Sequence, residues 1–133
     1  MSAKRIVFYL NKLIRDNLPE MMRGRAQKPS VTTLTGDKLV VALVNKLTEE
    51  SRELDPKSPK FLQELSEVTQ VLDDLLETLD AREEVERLRQ ADLARRGGFR
   101  KGQYISTLSL APDDEWVEYY RKEPERFREE RSE

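Results

Sequence analysis

Residues 38–54, KLVVALVNKLTEESREL, and residues 58–79, SPKFLQELSEVTQVLDDLLETL, decide how this chain folds. In the first stretch Leu39, Leu43, Leu47 and Leu54 recur at helical spacing, and Glu50 falls on the same stripe. In the second, Phe61, Leu65, Val68, Leu72, Leu75 and Leu79 alternate four and three apart, which predicts a second amphipathic helix. Glu49, Glu50 and Glu53 lie within one turn of each other. At about 100° per residue, Glu64 and Glu67 leave the second helix together from one edge of its seam. Between the helices lies DPKSP, where Ser58 suits an N-cap and Pro59 the first helical position. So short a connection forces the helices to run antiparallel. The end of the first then lies beside the start of the second, and Glu50, Glu53, Glu64 and Glu67 gather at one end of a hairpin.

A carboxylate in a core stripe is costly unless something pairs with it. Convergent carboxylates also repel one another. A divalent cation relieves both costs, and all-oxygen donors suit Mg²⁺ or Mn²⁺. The competing reading is a helical hairpin whose acids are simply solvated, since Glu is a common helix former.

The chain has 133 residues, which points to one domain with a core of its own. Charged residues make up 38% and hydrophobic ones 37%, so the apolar seams are narrow. The sequence holds no cysteine and no histidine, which excludes disulfides, zinc sites built on those residues and imidazole acid–base chemistry. The apolar run Ile6–Leu10 is too short for a signal or a membrane span, making a cytoplasmic protein the default expectation.

Charge is segregated along the chain. Residues 1–30 carry seven basic groups against two acidic, residues 49–86 thirteen acidic against four basic, and residues 87–102 six basic against Asp92 alone. Acids to hold a cation, flanked by Arg and Lys to hold phosphates, are what a metal–polyphosphate site requires. A slightly acidic chain without a basic, aromatic-interleaved stripe does not read as a nucleic-acid binder.

Elsewhere, RIVFYL (residues 5–10) and YISTL (104–108) read as short strands able to pair with each other, and Val31–Leu34 is extended in character. Pro19 and Gly24 bracket a short helix, and Thr35 or Asp37 can cap the first long one. A third helix is expected over Ala81–Arg95, with Val85, Leu88 and Ala91 inward and Gly97-Gly98 ending it. After Pro112 a charged tail carries Trp116, Tyr119 and Tyr120 on a helical turn, and fraying is expected beyond Pro124.

Four segments in order, NKLIRDNLPEMM (11–22), KLTEESREL (46–54), FLQELSEV (61–68) and RRGGFRKGQYI (95–105), resemble the MazG-like all-α nucleoside triphosphate pyrophosphohydrolases. The resemblance is to the phosphoribosyl-ATP pyrophosphohydrolase-like branch, over roughly Tyr9 to Leu110. The family's metal motif is EExxE followed by ExxD on the next helix. Glu49, Glu50 and Glu53 match the first part and Glu64 begins the second, but Glu67 stands where the family has aspartate.

The resemblance implies hydrolysis of a nucleoside triphosphate between the α- and β-phosphates, giving the monophosphate and pyrophosphate. It implies Mg²⁺ or Mn²⁺ held by Glu50, Glu53, Glu64 and Glu67, with Glu49 aiding a second ion or orienting the attacking water. Lys12, Arg15, Lys46, Arg96 and Lys101 become candidates for phosphate contacts. Asn11 and Asp16 would orient Lys12 and Arg15 or cap the short helix. From another class comes the alternative of a catalytically weak or inactive relative, acting as a nucleotide-binding or dimerisation module. The expected architecture is mainly α: an antiparallel hairpin within an all-α pyrophosphatase-like bundle, with at most a small two-stranded element. Residues 1–112 would form the domain and 113–133 a charged extension. The heptad-like seam from Phe61 to Leu79 predicts a homodimer or higher homo-oligomer.

Overall fold

The computed structural model describes residues 4–131. It is all-helical: α1 (Leu18–Arg23), α2 (Gly36–Arg52), α3 (Phe61–Thr78), α4 (Arg82–Arg96) and α5 (Trp116–Arg121). The chain divides into two compact units, one ending at Arg95 and the other starting at Arg96.

The first unit is built on the hairpin of α2 and α3, which pack on each other. Burial follows the helical period. Leu43, at 5% exposure, and Val71, at 8%, form the centre of the contact, with Leu39, Leu47, Leu54, Phe61, Val68 and Leu75 half-buried around them. The seam of α3 is rotated from the expected one: Val71 is buried, while Leu65 and Leu72 are exposed. A second apolar stripe on the same helix explains the rotation. Leu65, Leu72, Leu76 and Leu79 share a flank next to the face that α2 covers, and one partner helix covers only one stripe.

The start of α3 also differs in detail. The helix proper begins at Phe61, two residues past Pro59. Ser58 lies a turn early, its Oγ accepting the Lys60 N–H at 3.1 Å. The Asp55 carboxylate accepts the Lys57 N–H at 3.0 Å, so the connection is held by local side-chain turns. At the other end of the hairpin, Thr35 takes the N-cap position of α2 in extended conformation, without a side-chain capping bond.

The strands expected at 5–10 and 104–108 do not form, and no strand occurs among the described residues. Ile6, Val7, Phe8, Tyr9, Tyr104 and Ile105 are all highly exposed. A two-stranded ribbon without an apolar face to pack on is marginal in water, so β propensity alone does not hold it. Helix α4 forms as expected, and Gly97, at φ +80°, ends it in the left-handed region that glycine adopts freely. Val85, Leu88 and Ala91, expected inward, are exposed. No described helix is long and apolar enough to cross a membrane.

In the second unit Asp114 accepts the Trp116 N–H at 2.8 Å and starts α5. Tyr120 and Phe127 meet edge to face at 5.0 Å, and Tyr119 stands edge-on to Trp116 and Tyr120. Arg121 pairs with Glu129 at 2.7 Å. The chain beyond Pro124 therefore folds back onto α5 where fraying was expected.

Candidate functional site

The last turns of α2 and the first turns of α3 carry the five acids. Glu50 is the one buried charged residue among those described, at 9% exposure, on the same stripe as Leu43. Its partner comes from one turn back on its own helix. Lys46 Nζ lies 3.1 Å from the Glu50 carboxylate and 3.3 Å from that of Glu49, so a single ammonium bridges both. Burial works to lower the Lys46 pKa, but its hydrogen bonds to Glu50 and Glu49 outweigh that and hold it above its ordinary value.

Glu67 faces the same edge from α3. Arg15 Nη2 donates to its carboxylate at 2.6 Å and Gln63 donates at 3.0 Å. The Arg15 bond, then the Gln63 bond, hold the Glu67 carboxyl below the usual carboxylate range. Glu64 is used differently: its Oε2 accepts the Asp55 N–H at 2.9 Å and ties the inter-helix connection to α3. Glu53 is the exposed C-cap of α2.

The segment before α1 adds the remaining charges. Lys12 Nζ lies 3.6 Å from Glu49, and Arg15 reaches Glu67, so residues 12–15 lie over the acidic edge and touch both helices. Asn11, at φ +46°, makes the bend that leads into the segment, a conformation asparagine tolerates better than most residues. Asp16 is exposed.

Sequence reasoning placed Glu50, Glu53, Glu64 and Glu67 at one end of the hairpin with Glu49 beside them; Glu49, Glu50 and Glu67 pair with Lys12, Lys46 and Arg15, whereas Glu53 is the exposed C-cap of α2 and Glu64 is bonded to the Asp55 N–H. Arg96 and Lys101 belong to the second unit. Gln63 went unremarked, although its spacing of four from Glu67 is a helix-pair signal. The Lys46–Glu50 spacing is the same signal, and it identifies Lys46 as the counter-ion of the buried acid.

Whether the donor set suits a metal ion has two parts. Chemically it fits: every candidate ligand is a carboxylate, the hard donor that Mg²⁺ and Mn²⁺ take. In arrangement, no three acidic side chains among the described residues stand close enough to hold an ion. Their positions are set by Lys46, Lys12 and Arg15, and by the Asp55 amide. Comparison of the chain with family models, with curated proteins and with solved structures found no match.

Proposed function

We propose that the acidic edge of the α2–α3 hairpin is a metal-assisted site for hydrolysis of a nucleoside triphosphate to the monophosphate and pyrophosphate. The observation that carries this reading is Glu50. This buried glutamate has Lys46 as its ion-pair partner, and the acids Glu49 and Glu67 near it on the two helices are paired with Lys12 and Arg15. That combination of acids and bases at one place is what a cation–polyphosphate complex needs. The four-segment resemblance to MazG-like pyrophosphohydrolases supplies the reaction.

In this reading Glu50, Glu53, Glu64 and Glu67 would hold Mg²⁺ or Mn²⁺, which needs them closer together than they stand here. The ion, when bound, supplies charge neutralisation for the phosphate oxygens. Glu49, at the rim, orients the water that hydrolyses the α–β phosphoanhydride bond. Lys12 and Arg15 hold phosphate oxygens. Lys46 stays paired with Glu50 within the helix pair.

A second reading is a non-catalytic relative that keeps the fold. It is favoured by Glu67 in place of the family's aspartate and by the use of Glu64 to fasten the connection. Pyrophosphate release from a panel of canonical and modified nucleoside triphosphates, with Mg²⁺ and Mn²⁺, separates the two. Release abolished by the Glu50→Gln, Glu53→Gln double variant supports the enzyme. No release from a folded protein supports the non-catalytic module.

The same reading includes a second copy of the chain. The flank of α3 formed by Leu65, Leu72 and Leu76 and the flank of α2 formed by Val40, Val44 and Leu47 lie on one side of the hairpin. This follows from the residue angles of two antiparallel right-handed helices. Helices of 17 and 18 residues, about 26 Å long and together about 20 Å wide, offer on the order of 500 Å² in plan. As accessible area this approaches the ~800 Å² per partner of a stable dimer. A strictly monomeric species by light scattering at micromolar concentration counts against the dimer.

A further inference from the structure

We propose that the turn at residues 99–104, FRKGQY, binds single-stranded nucleic acid: Arg100 and Lys101 hold the phosphate backbone while Phe99 and Tyr104 stack on bases. Nothing in this site depends on the acidic edge or on a metal ion. The expectation that the chain avoids nucleic acid averaged its charge over all residues. Charge is segregated, however, and residues 93–112 are the longest stretch of the chain without an acid, holding four basic residues.

Local geometry puts the four side chains at the tip. The Gly102 N–H donates to the Phe99 carbonyl at 3.1 Å, which sets Arg100 and Lys101 at the two central positions of a turn. Gly102 closes the turn at φ +66° and Gly97, just before it, sits at φ +80°; the space where either would carry a side chain is open to 4 Å. The backbone is thus accessible on both sides of the turn. Phe99 is 98% exposed and Tyr104 92%. Arg100 and Lys101 are exposed as well, and neither pairs with an acid among the described residues. The arginines of α4 behave otherwise: Arg82, Arg87 and Arg89 are each held by an aspartate or a glutamate.

Unpaired cations in an acid-free stretch select a polyanion. Exposed rings on either side of them select one that carries flat apolar faces, which is a nucleic acid with its bases free to stack. A duplex hides those faces inside its own stack, so the strand must be single. An anionic membrane also attracts cations beside aromatic rings. It would draw the turn's backbone below the headgroups with Phe99 and Tyr104, without a helix to satisfy the N–H and C=O groups. A strand in water leaves that backbone hydrated. A free nucleotide offers one base to two rings, whereas an oligonucleotide engages both.

The test is fluorescence anisotropy of a labelled, mixed-sequence single-stranded RNA of about 12 nucleotides, titrated with the full chain across a series of salt concentrations. Three variants accompany the parent: Phe99→Ala with Tyr104→Ala, Arg100→Gln with Lys101→Gln, and, as control, Arg87→Gln with Arg89→Gln. All six side chains are exposed, so each variant should keep the circular dichroism of the parent. Removing both rings should weaken binding about thirtyfold or more. Removing both turn cations should lower the slope of log K against log salt by about 1.4, at ~0.7 per charge. The control loses the same charge from residues that already face acids, and should stay within about twofold of the parent. Equal affinity for the matching duplex, unchanged affinity without the rings, or equal weakening in the control would overturn the proposal. So would no binding at low salt, or binding to anionic phospholipid vesicles alone, which would assign the turn to a membrane surface.

Discussion

The two sides of the α2–α3 hairpin are made from the same two helices and solve opposite problems. On one side Glu49, Lys46, Glu67 and Gln63 meet Lys12 and Arg15, so the polar groups find partners within the chain. On the other, Val44, Leu65 and Leu72 lie open. Charges can be satisfied by a few long side chains reaching across, whereas an apolar stripe is satisfied only by area. A pair of helices with two apolar stripes each can therefore close one seam internally and leave the other to a neighbour.

The contrast can be broken first on the open side. Replacing Leu65 and Leu72 with glutamate removes four leucines from a two-fold contact, at about 1.5 kcal/mol each. A dimer would then dissociate about 10⁴-fold more readily, read by sedimentation equilibrium. The hairpin itself should stay helical by circular dichroism, because neither residue fills the closed seam.

Next comes the seam shared by both sides. Leu43→Ala leaves a cavity at the most buried apolar position and should cost about 3 kcal/mol, measured by urea unfolding. Lys46→Ala leaves Glu50 buried beside Glu49 without its bridging ammonium, and should cost about 2 kcal/mol. Adding Glu50→Gln should recover part of that loss. The pH dependence has a matching sign. Lys46 has a raised folded pKa, so its contribution is complete below about pH 10 and fades as pH rises through the folded value.

The smallest effect belongs to the exposed Arg15–Glu67 pair. Arg15→Ala should change stability by under about 1 kcal/mol, because the pair is solvent-screened. Here the pH sign reverses. Glu67 has a lowered folded pKa, so its contribution is present above about pH 4–5 and is lost on acidification through the folded value. Unfolding midpoints across pH 2–6 should converge for the parent and Arg15→Ala at the acid end.

Much of the hairpin was legible because helical periodicity and a short, proline-bearing connection leave few alternatives. Leu39, Leu43 and Glu50 read as one stripe and are one stripe. Which of two apolar flanks on α3 would close was not legible, since Leu72 and Val71 both belong to a broad apolar surface and the choice depends on the partner helix. RIVFYL misled because β-branched and aromatic residues report propensity, while a strand needs a face to bury. At the site, residue types marked the acids and bases, but which base neutralises which acid depends on reach. Lys46 and Glu50 could be paired from their spacing. Arg15 and Glu67, 52 positions apart, could not.

That separation has a kinetic consequence. The hairpin closes through a connection of a few residues and is made of local contacts, the kind that form fastest. The Arg15–Glu67 pair closes a loop of 52 residues and gains little energy on closing, so it forms after the helices have docked. In stopped-flow refolding, Arg15→Ala should leave the folding rate unchanged and appear only in unfolding. The acidic edge thus exists, for a moment in every folding event, with Lys46 in place and before Lys12 and Arg15 arrive.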